Sequence, residues 1–255
     1  VSVHRLLPNQ DSFDFLAKNF DFDTMRWSDL LAEVFGDAPQ EGRPVYLRAL
    51  GTNARKQVAN LERDWPALAA AFTLPDSIGV PADRIFSSVL RVSSQGTRLW
   101  THYDTVDNVL FALRGDKRVE LWPPSAAGDL NLDGSSSRWR DPAAASPVAA
   151  ASRSHIFLLR AGEALVLPAL WAHRVTALTP CISINVFYRD GRIAPADISP
   201  KDLYGNHDVV SAQQALAAAR DGRIDQALQL IAHLPRDYRE FYGSLIAQCV
   251  RDRLL

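Results

Sequence analysis

Two histidines and one aspartate carry the most chemical information in this chain. His102 and Asp104 stand in Trp100-Thr101-His102-Tyr103-Asp104, and His173 stands in Pro168-Ala169-Leu170-Trp171-Ala172-His173. Two imidazoles and one carboxylate form a ligand set that holds Fe(II) by one face and leaves the opposite positions open. The residues around His102 suit a half-buried strand, Leu99–Tyr103, on which side chains two apart point the same way. His173 follows Asp104 by 69 residues, so it must come from a different strand. A lone His-X-Asp also arises by chance in many strands, and the bland alternative is that each histidine is structural. His4, His155, His207 and His233 lack comparable partner spacing and read as surface or structural histidines.

Lys117 adds to this set. It follows Asp104 by 13 residues, after Gly115-Asp116, which reads as a hairpin-type turn, and before the strand pattern Val119-Glu120-Leu121. A lysine at a strand start beside a metal suits the distal carboxylate of an organic acid. The competing reading is a solvated turn lysine.

These residues need a scaffold of short strands. Strand patterns recur at Val45–Ala49, Ile85–Val92, Leu99–Tyr103, Asn108–Leu113, Arg118–Leu121, His155–Leu159, Ala164–Leu167, Arg174–Ala177 and Ser183–Tyr188. Many short strands broken by Gly, Pro and Asp argue for a barrel or sandwich, and a jelly roll fits. Pro168 bends the apolar segment that leads to His173, and Ala161-Gly162-Glu163 reads as the turn before it. Phe13–Asn19, Arg26–Phe35 and Gln57–Phe72 read as helical, with Ser28 a candidate cap and Pro66 an interruption. Ser211–Arg220, Ile224–His233 and Pro235–Leu255 are helical by period, with Asp221-Gly222 as a stop. Leu245, Ile246, Cys249 and Val250 make an apolar stripe on the last of these. The stripe suits packing on the chain's own barrel or on a second copy, since twofold dimers are the commonest symmetric assembly.

Composition narrows the class. With 47% hydrophobic and 22% charged residues, the 255-residue chain reads as a globular protein with a sizeable core. No apolar run approaches the roughly 18 residues of a membrane span, and no retained signal peptide is evident. Cys181 and Cys249 make no disulfide framework, which suits an intracellular setting, cytoplasmic or nuclear. With 28 Lys+Arg against 29 Asp+Glu there is no global attraction for nucleic acid. RNA binding would need a local patch, for which Arg114, Lys117, Arg118, Arg138, Arg140, Arg153, Arg160, Arg236, Arg239, Arg251 and Arg253 are candidates. Ordinary solvated surface is the alternative reading of the same residues.

In these motifs the sequence resembles the JmjC-type 2-oxoglutarate oxygenases. The matching elements run in order: Thr101-His102-Tyr103-Asp104, Gly115-Asp116-Lys117-Arg118, Ala161-Gly162-Glu163-Ala164-Leu165 and Leu167-Pro168-Ala169-Leu170-Trp171-Ala172-His173. The tail Leu234–Tyr242, with Tyr204-Gly205-Asn206, Tyr46 to Gly51 and Phe86 to Arg91, is similar to the branch of that family that hydroxylates a wybutosine-type base in tRNA. The resemblance implies a double-stranded β-helix, a cupin-like jelly roll with flanking N-terminal helices and a C-terminal helical bundle. It divides the chain into a catalytic region, 1–190, whose N-terminus is expected to be incomplete, and a helical dimerisation region, 191–255. It places Fe(II) on His102, Asp104 and His173. It places 2-oxoglutarate on Tyr46, Asn108 and Lys117, with Asn185 beside the metal or the co-substrate. It implies oxygen as the oxidant, phenylalanine tRNA as substrate and partner, and a homodimer. The Ala/Ser/Arg-rich stretch from Ala126 to Ser154 departs from the family pattern and borders the substrate side. A JmjC protein side-chain hydroxylase and a non-catalytic cupin-like binding protein are the alternatives.

Overall fold

The computed structural model describes residues 1–36, 43–50, 57–153, 155–189, 191–202 and 204–254. Gly51, Ser154, Asp190 and Leu255, named above at the ends of segments, lie outside them. Twelve strands are seen among the described residues. They are β1 (Ser2–Leu6), β2 (Phe20–Thr24), β3 (Val45–Arg48), β4 (Ile85–Ser93), β5 (Asp107–Arg114), β6 (Lys117–Trp122), β7 (Leu132–Asp133), β8 (Ser136–Ser137), β9 (His155–Leu159), β10 (Ala164–Leu167), β11 (Ala172–Ala177) and β12 (Cys181–Tyr188). The helices are α1 (Trp27–Phe35), α2 (Leu61–Asp64), α3 (Pro66–Ala69), α4 (Pro142–Ala145), α5 (Pro147–Ser152), α6 (Val210–Arg220), α7 (Ile224–Ile231) and α8 (Arg236–Leu254).

A large antiparallel sheet runs in the order β10-β5-β12-β4-β3-β1-β2, and a small one in the order β11-β6-β9. From β5 onward the chain steps repeatedly between the two sheets, as a jelly roll requires. β5 leads to β6 across sheets, β9 returns to β10, and β11 returns to β12. Gly115-Asp116 is therefore not the hairpin turn expected from the sequence, because it joins strands of different sheets. Gly115 has φ 76°, and a Cβ there would lie 2.1 Å from the Pro180 carbonyl oxygen. Gly115→Ala is expected to lower stability by about 1–3 kcal/mol from the backbone alone. The midpoint of chemical unfolding measures this.

Both faces of the large sheet are covered. Leu30 and Val34 of α1 pack on its outer face with Val45, Leu47, Leu90, Val92, Val109, Ile184 and Val186. Its inner face meets the small sheet through Leu110, Ala112, Val119, Leu121, Leu159 and Leu167. Strand alternation then explains the buried polar residues: Asn108, Asn185, Ser183 and Ser93 occupy inward positions on strands whose outward positions are apolar.

Three expectations differ from the structure. Leu99–Tyr103 is not a regular strand. Arg98 bridges to Thr176 and His102 to His173, a one-residue slip in register that breaks the ladder. The same-side placement of His102 and Asp104 survives, because Thr101, Tyr103 and Thr105 are buried on the other side. Phe13–Asn19 is a turn and not a helix. The Asp14 carboxylate accepts from the backbone N–H of Leu16 and Ala17, Lys18 has φ 50°, and the Asn19 side chain accepts from the Asp14 N–H. Ser28 lies inside α1, whose cap position is Arg26. The apolar stripe of α8 is largely consumed within the chain. Leu245 and Ile246 are buried with Phe241, Tyr242, Ala126, Ala127 and Leu130 in one core, and Cys249 packs against it. The N-terminal strands β1 and β2, unmarked in the sequence reading, extend the large sheet beyond the barrel.

Candidate active site

One pocket between the two sheets collects every site residue expected from the sequence. His102, Asp104, His173, Tyr46, Asn108, Lys117 and Asn185 all line it. The large sheet supplies Tyr46 from β3, Asn108 from β5 and Asn185 from β12, while the small sheet supplies Lys117 from β6 and His173 from β11.

One ligand atom from each of His102, Asp104 and His173 lies within 4.8 Å of the other two. The two imidazole centroids are 4.4 Å apart, and His173 Nε2 is 3.9 Å from Asp104 Oδ2. Two short carbonyl contacts decide what these rings offer. His102 Nδ1 lies 3.0 Å from the Trp100 carbonyl oxygen, and His173 Nδ1 lies 3.0 Å from the Trp171 carbonyl oxygen. A carbonyl only accepts, so each Nδ1 carries the proton and each Nε2 keeps a lone pair. Metal-bound histidines have this arrangement, with the outer nitrogen held by a carbonyl. Burial, then the neighbouring His173, holds His102 well below the ordinary imidazole range, which favours its neutral ligand form. Burial raises the Asp104 carboxyl, against the pull of His173, Arg91 and Arg48. The donors fit a divalent transition metal.

The turn before His173 is strained in its favour. Leu170 has φ 66° and is fully buried, and its N–H donates to the Asp104 carbonyl at 2.8 Å. A branched residue held in the left-handed region next to a candidate ligand joins the backbones that carry Asp104 and His173.

Lys117 is not the solvated turn lysine. It is 5% exposed, and its Nζ donates to Ser93 Oγ at 3.4 Å. Among the described residues it has no carboxylate partner within salt-bridge distance. Burial is the main cause that lowers its pKa, and Arg91 adds to it. Arg91 also lines the pocket and donates to the Tyr46 hydroxyl. The Asn185 amide donates to Asn108 Oδ1 at 3.1 Å, while Asn185 Oδ1 and Ser183 Oγ have no hydrogen-bond partner among the described residues. A buried cation and an orphaned hydroxyl in one cavity suit an anion inside it, and the orphaned Asn185 carbonyl oxygen suits a donor.

Arg91 and Ser93 also line the pocket and are absent from the site expected from the sequence. The signal was present in their i, i+2 spacing on β4, the spacing already used for His102 and Asp104. Five of the candidate arginines stand in ion pairs with nearby carboxylates. Arg118 and Arg153 both pair with Glu120, Arg138 with Asp133, Arg140 with Asp11, and Arg236 with Glu240.

A family model described as a cupin-like domain matches residues 3–192. The tRNA wybutosine-synthesizing protein 5 of Danio rerio is 35% identical over 99% of this chain and 77% of its own length. This chain belongs to that branch of the cupin-like family. The Homo sapiens protein of the same name is 33% identical over 94% of this cupin-like chain and 76% of its own. Among solved structures, a ribosomal oxygenase from Escherichia coli in complex with cobalt and 2-oxoglutarate is 13% identical, with a TM-score of 0.45. It aligns over 96% of the cupin-like chain and 58% of its own length, and so distant a likeness carries no argument about chemistry.

No helix among the described residues is long and apolar enough to cross a membrane. Cys181 is buried and free, with its thiol directed at the Asp116 and Thr179 carbonyls, so it serves as a small core residue.

Proposed function

We propose that this protein is an Fe(II)- and 2-oxoglutarate-dependent oxygenase that hydroxylates the wybutosine-type base of phenylalanine tRNA. The observation that carries the chemistry is the pairing of two free Nε2 lone pairs and a carboxylate with a buried, carboxylate-free Lys117 in the same pocket. The substrate half rests on the similarity to tRNA wybutosine-synthesizing protein 5.

In this reading His102, Asp104 and His173 hold the metal, and the carbonyls of Trp100 and Trp171 fix their tautomers. When bound, Fe(II) supplies the activation of oxygen that oxidises a substrate C–H bond while 2-oxoglutarate becomes succinate and carbon dioxide. Lys117 pairs with the distal carboxylate of 2-oxoglutarate, and the Tyr46 hydroxyl, already engaged by Arg91, adds a hydrogen bond. Asn108 and Asn185 orient the co-substrate through their linked amides. Leu99, Leu110, Leu167 and Val175 line the remaining wall and keep water out.

The test supplies Fe(II), 2-oxoglutarate and tRNA that carries the unhydroxylated base, followed by mass spectrometry of the nucleosides. The expected result is a gain of one oxygen atom on that nucleoside. No such product, together with an oxygenated side chain in a protein extract, would move the reading to the protein hydroxylase.

A further inference from the structure

Phosphate contacts position an RNA but do not read a base, so the target base needs a seat of its own. A groove beside the metal pocket offers one. We propose that this groove, bounded by His4, Phe15, Phe22, Arg48, Tyr204 and Asn206, seats the target base as a planar, purine-derived heterocycle unstacked from its strand. This rests on the tRNA hydroxylase reading and names the part of the chain that would select the substrate.

The first observation is a file of aromatic rings. Phe22 is 71% exposed on the edge strand β2 and sits opposite His4 in the β1–β2 register. Ring centroids run 4.9 Å from Phe22 to His4, 5.5 Å from His4 to Phe15, 4.0 Å from Phe15 to Trp100 and 4.7 Å from Trp100 to His102. The file therefore begins at an exposed phenylalanine and ends on a candidate metal ligand. A single exposed phenylalanine needs no explanation. One that heads a continuous ring file into a groove offers a stacking platform, and an unpaired base has a π face to place on it.

The second observation is independent of the rings. Two residues that line the groove each carry a buried polar atom with no hydrogen-bond partner among the described residues, Arg48 Nε and Asn206 Oδ1. One is a donor and the other an acceptor, the two functions that a base edge presents in return. The Arg48 guanidinium lies 4.9 Å over the Tyr204 ring, so the wall opposite the phenylalanines also has a flat surface.

The third observation sets the direction. Arg48 follows Tyr46 by two residues on β3 and so shares its face, and Tyr46 lines the metal pocket. The Gly205 carbonyl accepts from Thr105 through both its N–H, at 2.6 Å, and its hydroxyl, at 3.0 Å. Thr105 directly follows Asp104, so the wall that carries Tyr204 and Asn206 is pinned one residue from a candidate ligand. A base lodged between the walls has its substituent within reach of the metal pocket.

The test uses the full chain loaded with metal and 2-oxoglutarate, and an anticodon stem-loop oligonucleotide with 2-aminopurine beside the anticodon. Stacking on neighbouring bases quenches it, so the wild type, by drawing it out of its strand, should raise its emission. Phe22→Ala should weaken binding roughly tenfold or more, and Phe22→Trp should restore it. Phe22 is exposed, so its truncation leaves the core intact, and unchanged calorimetric affinity for 2-oxoglutarate verifies this. On modified tRNA, Phe22→Ala and Asn206→Ala should raise KM more than they lower kcat. Wild-type product formation with the same KM and the same rise in emission in Phe22→Ala would overturn the groove and leave the hydroxylase reading standing. A rise that depends on Phe22 without any oxygenated product would support the groove and retire the hydroxylase reading. No binding of either RNA to the wild type would overturn both.

Discussion

Lys117→Met is expected to weaken 2-oxoglutarate binding by orders of magnitude while making the ligand-free protein more stable. The two effects have opposite signs because one charge causes both. Without an anion, the Lys117 ammonium is buried with no carboxylate partner, and burial lowers its pKa below the unfolded value. A base with a depressed folded pKa binds fewer protons folded than unfolded in the window between the two values. Stability therefore rises with pH through that window, and below it the charged lysine is a standing cost. Methionine fills a similar volume without the charge, which removes the cost and flattens this pH dependence. Loss of one partner of a desolvated ion pair costs roughly 3–5 kcal/mol, so affinity for 2-oxoglutarate should fall by about a hundredfold to several thousandfold. Calorimetric titration and thermal unfolding of the same samples measure both. An unchanged dissociation constant would remove Lys117 from the co-substrate site. Destabilisation in the absence of ligand would contradict the burial argument.

The second large effect is expected from Asp104→Ala. Changes to groups that merely orient a metal's ligands typically cost about 10- to 100-fold in affinity, so loss of the only carboxylate among the three donors should exceed ~100-fold. Titration with Co(II), read by visible absorption, reports the metal directly. Succinate formation from 2-oxoglutarate reports turnover. Both should vanish. Among the described residues no hydrogen bond to the Asp104 carboxylate is seen, and burial raises its pKa, so the variant should remain folded. Full turnover in a folded variant would sink the triad.

The candidate site was legible in the sequence because its determinants are local in period even where they are distant in number. His102 and Asp104 share a face by strand alternation, and that rule survives the broken ladder around them. Pro168 marks the bend before His173, and β10 and β11 end and begin on either side of it. What stayed hidden depends on partners far along the chain. β1 and β2 are short, and each needs the other and β3 to exist as a strand. Phe13–Asn19 has a helical composition, yet Asp14 and Asn19 spend their side chains on the local backbone. The arginines could be counted, but Glu120, which pairs with Arg118, Arg153 and Arg174 at one carboxylate, could not be seen as their common partner. Arg48 and Arg91 look like ordinary strand arginines until the fold turns both toward the metal pocket.

Tyr103 stands between the two candidate ligands and faces the other way. Its hydroxyl donates to Asp208 at 2.7 Å, Tyr242 of α8 donates to the same carboxylate oxygen at 3.0 Å, and its ring meets Phe241 of α8 edge-on. Tyr238, also of α8, donates to the Thr105 carbonyl at 3.0 Å. The segment that carries His102 and Asp104 has no regular ladder of its own, so it borrows its rigidity from the last helix of the chain. Ligand geometry tolerates little displacement, and about 1 Å is enough to matter. A minimal enzyme trimmed at the cupin boundary would therefore keep all three donor residues and lose the clamp that aims two of them. Anyone grafting this catalytic unit onto another protein would have to carry α8 along with it.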